Sequence, residues 1–288
     1  MGKLLYNDIP SASVSELFSF VRSIKSRDMR TNSVFTAPVL EDLCQKNLAW
    51  IAIGESAAVV LCPDTENIVR VSYYAKDAAA LSEVAKLLPN TSARVICDIV
   101  GRDPAAEIQV KDLDAQGFLL YAKFQRMTCA DLQIDSTLDF SMVEPAVAAD
   151  AREIYDMLHQ EFDPLTARFP ALETLEERIR NSEVFVVRKD GKVAGFCVFS
   201  SHNRQIALLE YVIVRPEYRR EKIAKTILHY KWRYRNQSRQ YMLWINTQCA
   251  GPIRFYERNG FRADGLYDYI LLPKQGVFHS EEGQIKCS

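Results

Sequence analysis

What this chain lacks narrows it first. None of its apolar runs approaches the roughly 18 residues that a membrane-crossing helix needs, and the start MGKLLYNDIPSASVSELF breaks at Asn7, Asp8 and Pro10 before a signal-peptide core can form. Neither charge is in excess: 36 Lys and Arg face 37 Asp and Glu, a net charge of -1. By halves the balance is 14 bases against 18 acids over residues 1–139 and 22 against 19 over 140–288, too even for general nucleic-acid binding. The seven cysteines form no Cys-x-x-Cys pair and sit mostly in apolar runs, which predicts reduced, buried thiols in a cytoplasmic protein. His159, His202, His229 and His279 show no metal-binding spacing, and no serine stands in a Gly-x-Ser-x-Gly elbow.

What is present is the pattern of an α/β protein, 48% hydrophobic over 288 residues and so able to bury a sizeable core. Helical spacing covers 14–24 and 39–48. Strand-like runs follow at AWIAIG, SAAVVLCP and NIVRVSYYA. A helix over 78–88 stopped by Pro89-Asn90, the strand SARVICDIV, a helix opened by Asp103-Pro104 and the strand 117–127 complete this series. The aperiodic stretch 128–142 reads as linker material. The second series has helices over 145–162 and 172–181, a hairpin around Asp190-Gly191, the strand LLEYVIV, a helix to about Arg235, the strand YMLWINT, the helix PIRFYERN and a last strand from Gly260.

Each half thus runs two helices, three strands, helix, strand, helix, strand. This order predicts an internal duplication, whose visible trace is Gly117-Phe118 and Gly260-Phe261 opening the two final strands. The expected architecture is two tandem domains, each a mixed, mostly antiparallel sheet flanked by helices. The boundaries drawn from it are 1–130, a linker at 131–142, and 143–288.

The stretch VRPEYRREKIAKTIL at 214–228 carries the chemistry. A strand, a turn fixed by Pro216 and a helix opening with Arg219, Arg220, Lys222 and Lys225 offer backbone N–H groups and positive charge to an anion. No glycine relieves the turn, and a charged turn with solvated bases fits the same residues. The cradle reading requires a negative φ at Lys222. The run KWRYRNQSRQY at 231–241 interleaves bases and aromatics, but its helical spacing turns Tyr230 and Tyr234 toward Ile223 and Ile227, as in an ordinary packed helix.

The order of elements over 141–272, together with V-x-P-x-x-R-R-x-x-I-A at 214–224 and F-Y-E-R-N-G-F at 255–261, resembles the GCN5-related N-acetyltransferase (GNAT) superfamily. The resemblance implies acetyl-CoA as cosubstrate, its pyrophosphate on the loop Arg219, Arg220, Glu221, Lys222, Ile223, Ala224 and Lys225, and its pantetheine along Val212 and Val214. It implies Tyr256 as general acid on the CoA sulfur. Two departures stand out: Lys222 where the family prefers glycine, and Cys249 where it often has asparagine, with Asn246 slightly earlier. Glu210, two residues before Val212, is the candidate base. Its neighbour Leu208 predicts an apolar surround that would raise its pKa, against the plainer reading of an ion-paired sheet-end glutamate.

The first half lacks a basic or glycine-containing loop after VSYYAKD and a tyrosine ahead of Gly117, and it reads as a degenerate copy. The function expected is transfer of an acetyl group to a primary amine of a small molecule or peptide, with no membrane and no nucleic-acid partner. The alternatives are an acyl-CoA-binding regulatory module without turnover and an aminoacyl-type transferase built from tandem folds.

Overall fold

The computed structural model describes residues 11–65, 67–88, 93–201, 205–235 and 238–274. The turn at Pro89-Asn90, His202, His279 and Cys287 lie outside them. In chain order the helices are α1 (Val14–Ile24), α2 (Ala37–Gln45), α3 (Leu81–Leu87), α4 (Ala105–Ala115), α5 (Ala151–Glu161), α6 (Leu172–Arg180), α7 (Ile223–Arg235) and α8 (Ala250–Arg258). The strands are β1 (Arg30–Thr31), β2 (Trp50–Ile53), β3 (Ala57–Thr65), β4 (Ile68–Ala75), β5 (Arg94–Arg102), β6 (Phe118–Cys129), β7 (Val143–Pro145), β8 (Val184–Lys189), β9 (Lys192–Ser201), β10 (Ile206–Val214), β11 (Gln240–Asn246) and β12 (Arg262–Pro273). With the short β1 and β7 set aside, both halves run α, α, β, β, β, α, β, α, β, the order expected from sequence.

The chain forms two compact units, and their boundaries differ from those drawn on the sequence. Among described residues, one unit holds 11–123 with 266–274 and the other holds 124–265. The reason is strand pairing. Leu266–Leu271 of β12 pairs antiparallel with Arg102–Cys97 of β5, and Phe124–Cys129 of β6 pairs antiparallel with Asn246–Tyr241 of β11. Each sheet is thus completed by a strand from the other half of the sequence. Pairing between segments so far apart leaves no local pattern to read.

In the first unit the order β2-β3-β4-β5-β12 is mostly antiparallel, with β1 laid beside β4. One core holds Tyr73, Leu81, Val84, Phe118, Tyr269 and Leu271; a second, under α1 and α2, holds Leu17, Leu40 and Ile51. Ser13 caps α1 in a capping box with Glu16, which gives acceptors to two of the N–H donors that a helix start leaves open.

In the second unit the order is β6-β11-β10-β9-β8-β7. Residues 145–150 were expected in a helix but form a strand end and a 3-10 turn, because the Asp150 carboxylate accepts from the Val147 N–H at 2.8 Å and holds Arg188 through two contacts of 2.6 Å. Asp190 (φ 53°) and Gly191 (φ 73°) form the hairpin turn between β8 and β9. Gly117 and Gly260, at φ 88° and 87°, each follow a helix end in the left-handed region that a side chain disfavours. Each is followed by a buried phenylalanine at the start of a strand.

The thiols at Cys44, Cys62, Cys97, Cys129 and Cys197 are free, the last three of them buried. Among the described residues no helix is long and apolar enough to cross a membrane.

Candidate functional site

The site begins where two parallel strands part. β10 pairs with β11 over Ile206↔Gln240 to Leu208↔Met242, yet β10 continues to Val214 and β11 to Asn246. Against β9 the register slips between Leu209 and Tyr211, which makes Glu210 a bulge. Strict alternation would hold 207, 209, 211 and 213 on one face. The bulge resets it: Ala207 and Leu209 pack with Phe199, Ile227 and Tyr241, whereas Tyr211 and Ile213 pack with Ile154, Leu158 and Phe196 on the other face. Val212 and Val214 therefore join the first face, beside Ile223 and Tyr256. The Arg215 N–H donates to the Ala194 carbonyl on β9 at 2.9 Å, so by alternation the N–H groups of Val212 and Val214 point to the other side, which β11 has left.

The loop that follows is strained. A 3-10 turn at Pro216–Tyr218 leads to Arg220 at φ 76° and Lys222 at φ 61°. The negative φ that the sequence reading required of Lys222 is therefore not what the chain adopts. A left-handed residue costs about 1–2 kcal/mol, but left-handed residues between right-handed ones also turn successive N–H groups into one concavity, a nest for anions. The N–H groups of Lys222, Ile223, Ala224 and Lys225 donate to no described residue, and the first helical bond is Thr226 N–H to the Lys222 carbonyl at 2.8 Å. The glycine that lets α7 start here lies beneath the loop. A Cβ on Gly195 of β9 would stand 2.9 Å from both the Ile213 carbonyl oxygen and the Ile223 methyl Cγ2.

The loop side chains divide into two groups. Arg219 meets Glu161 at 3.1 Å and the Val214 carbonyl at 3.2 Å, Glu221 pairs with Lys189, and Lys225 pairs with Asp135 at 2.6 Å. These charges are committed within the protein, contrary to the expectation that Arg219 and Lys225 are available to a phosphate. Arg220 and Lys222, the two strained residues, have no ion-pair partner among the described residues.

Tyr256 on α8 is half-buried, its ring 5.0 Å from Phe255 and 5.4 Å from Phe261. Its hydroxyl makes no hydrogen bond to a described residue, and burial, with the Cys197 thiol adding, pushes its pKa well above the usual range. Cys197 pairs with Val212 in the sheet, which sets the tyrosine over the open part of β10. Asn246 ends β11 and is 5% exposed; its Oδ1 accepts from the Gln248 N–H at 2.9 Å, while its Nδ2 is buried without a partner. An unmet buried amide costs about 1–3 kcal/mol, which makes Asn246 a donor waiting for an acceptor. The sequence reading weighed it only as a displaced motif residue. Its strand-end position beside the parting of β10 and β11 was the available signal.

Glu210 is not in the apolar surround expected for it. The Arg178 guanidinium of α6 donates to its carboxylate. Glu183, at the foot of β8, was missed from sequence. Burial raises its pKa, with Arg178 opposing and the Glu210 charge adding. Arg178 and Glu183 flank the turn from α6 to β8, where the Glu183 N–H donates to the Arg178 carbonyl at 3.0 Å, and Glu210 joins them from β10, so the full grouping has no spacing signature. In the aromatic and basic run, Tyr230 packs as expected, 5.7 Å from Phe185, and Trp232 lies 4.4 Å from Tyr241, whereas Tyr234, expected toward Ile223 and Ile227, is exposed and meets Phe140 at 5.7 Å.

This arrangement agrees with known proteins. Residues 180–263 match the family model described as acetyltransferase (GNAT) domain, so the second unit carries a GNAT acetyltransferase domain. No curated protein matches the chain. Among solved structures, the chain is similar to a GCN5-related N-acetyltransferase from Sphaerobacter thermophilus, with a TM-score of 0.53 and 17% identity over 83% of this chain and 85% of that one. It is similar to a GCN5-related N-acetyltransferase from Kribbella flavida, with a TM-score of 0.53 and 12% identity over 84% and 96%. It is also similar to a tandem GNAT protein from the clavulanic acid biosynthesis pathway, with a TM-score of 0.52 and 14% identity over 93% and 96%. The chain therefore has the tandem GNAT fold.

Proposed function

We propose that the second unit binds acetyl-CoA and transfers its acetyl group to a primary amine of a small molecule or peptide. The observation that carries this reading is the row of four uncommitted N–H groups at 222–225, set beside the edge of β10 that β11 has left. Bare N–H groups at a helix start favour phosphate, and Arg220 and Lys222 add free charge. Val212 and Val214 offer strand N–H groups to the pantetheine arm and the thioester carbonyl, and Asn246 Nδ2 is a further donor. These residues fit the cofactor.

In the reaction the amine nitrogen attacks the thioester carbon, the C–S bond breaks, and an amide and free CoA result. Preorganised N–H groups of β10 stabilise the oxyanion without reorganisation. Tyr256, kept protonated by its burial, supplies the proton for the departing thiolate. A lysine-like amine has a pKa of about 10.4 and must lose a proton before attack. Glu210, oriented by Arg178, accepts that proton through water.

The same ion pair favours a second reading, binding without turnover, because a carboxylate engaged by arginine is a weakened base. Melting temperature and amide formation test both readings together. Acetyl-CoA is expected to raise the melting temperature, Arg220→Glu with Lys222→Glu to remove that rise, and free CoA to accumulate with an amine acceptor. Unchanged melting at millimolar acetyl-CoA would exclude both; a thermal shift without CoA release across an amine panel would leave the binder.

A further inference from the structure

The first unit has the same parting of strands as the second, and there it is filled. β4 pairs parallel with β5 from Ile68↔Arg94 to Arg70↔Ile96, and β4 then runs on to Ala75. This repeats the three-residue pairing of β10 with β11. β10 has nine residues and β4 eight. When their first and last residues are matched, the bulged Glu210 is the extra one, and Tyr73 and Ala75 fall at the places of Val212 and Val214.

Residues 30–32 lie in this notch. Arg30 and Thr31 pair antiparallel with Ala75 and Tyr74. The Asn32 side chain then bridges the two parting strands: its Nδ2 donates to the carbonyls of Val71 on β4 and Asp98 on β5, both at 2.9 Å, and its Oδ1 accepts from the Tyr73 N–H at 2.7 Å. A carboxamide carries the donor and acceptor of a peptide unit on one rigid plane, and neither aspartate nor serine can meet all three groups. The Thr31 hydroxyl donates to the Tyr73 carbonyl at 2.6 Å, Ser33 Oγ lies 2.7 Å from the Tyr74 hydroxyl, and Arg30 pairs with Asp112 at 2.7 Å, so the segment is fastened on both sides.

The helix start is closed as well. At α3 the Ala80 N–H donates to Asp77 Oδ1 at 3.0 Å, and the N–H groups of Leu81, Ser82 and Glu83 donate to the carbonyls of Ala78, Ala79 and Ala80. At α7 the matching groups are bare. Both features that the second unit offers to a cofactor, an open strand edge and open N–H groups, are thus answered in the first by its own chain.

We infer that residues 30–32 and Asp77 form an internal ligand in the first unit, standing where the pantetheine arm and phosphates of acyl-CoA would stand in the second. The Asn32 carboxamide oxygen takes the N–H that corresponds to Val212, the place of the thioester carbonyl. The first unit is closed to acyl-CoA and the chain binds one equivalent. This stoichiometry rests on the function proposed for the second unit; the filled notch does not.

Titration calorimetry of the full chain with acetyl-CoA, combined with hydrogen exchange at 71–75 and 211–214, tests the inference. One site is expected, with acetyl-CoA slowing exchange at 211–214 and leaving the already slow 71–75 unchanged. Asn32→Ala is expected to speed exchange of the Tyr73 amide by about tenfold or more, the loss of a buried hydrogen bond, with acetyl-CoA affinity within twofold of the parent. If that variant does not fold, Asn32→Ser, which keeps a small polar group but is too short to bridge both strands, is expected to give a change of the same sign. Two sites per chain, acetyl-CoA protection at 71–75, or Tyr73 exchange indifferent to both variants would overturn the inference. No acetyl-CoA binding, with Tyr73 exchange still sensitive to Asn32, would overturn the function proposed for the second unit and leave the internal ligand standing.

Discussion

β4 and β10 are the same strand in two states of use. Both leave a parallel neighbour after three paired residues, and both precede a helix. β4 ends in a plain run, satisfied by Asn32, and leads through Asp77 to a capped α3. β10 carries a bulge, keeps an open edge, and leads through two left-handed residues to the uncapped α7. The left-handed residues and bare N–H groups between β10 and α7 are costs that the matching stretch between β4 and α3 does not carry. Such costs persist where a ligand offsets them, in keeping with the function proposed for the second unit.

The most damaging way to break the comparison is to delete Tyr211, which makes β10 as long as β4 and removes the bulge only by pairing Glu210 in its place. A carboxylate would then stand in the core position among Ile154, Leu158 and Phe196. A loss above about 4 kcal/mol is expected in urea denaturation of the full chain, confined to the second unit by hydrogen exchange. Next, Tyr256→Phe is expected to lower kcat about 100-fold with the KM for acetyl-CoA unchanged, since it removes a proton donor and little else. The first unit has no tyrosine at the matching helix position, and Tyr73→Phe on β4, which loses only the hydroxyl bond to Gln109, is expected to leave the rate unchanged.

A subtler change copies one residue across. Gly195 pairs with Val214, and the first unit places Ala57 opposite Ala75 in the matching position. Gly195→Ala is expected to cost about 1–3 kcal/mol from overpacking and to weaken acetyl-CoA binding, because a Cβ 2.9 Å from the Ile213 oxygen and from Ile223 must push the start of α7 away. Thermal melts with and without acetyl-CoA measure both effects.

The smallest effect separates the units by pH. The first 123 residues hold no histidine. In the second unit His229 is buried, accepts from the Asp135 N–H at its Nδ1 at 3.1 Å and lies 2.8 Å from Asn259 Oδ1 at its Nε2. Burial lowers its pKa from 6.5, so the unfolded chain binds the proton more readily. The stabilising contribution is complete above pH 6.5 and is lost as pH falls toward the lowered folded value. Melting of the parent is expected to fall over that window more steeply than melting of His229→Gln, with exchange quickening in the second unit only.

Much of this was legible beforehand, for local reasons. α1 lies where apolar spacing puts it, and the hairpin turns at Asp190-Gly191. Tyr256 and the 219–225 loop stand out because a strand, a basic turn and a helix are adjacent in sequence. The pairing of Arg178 with Glu210, and of Asn32 with β4 and β5, joins residues 32 to 66 positions apart, and neither leaves a periodic trace. The missing glycine of the loop was legible too, but not its remedy, a glycine one strand away at 195.

Sequence alone thus determined the order of elements and the stretch that carries the chemistry, since both follow from short-range propensity and periodicity. Tertiary structure decided which strands complete which sheet, which loop charges remain free, and which of two similar notches is open. Those outcomes rest on hydrogen bonds and ion pairs between distant segments, where one carboxamide or one bulged residue shifts the balance by as much as a whole helix cap.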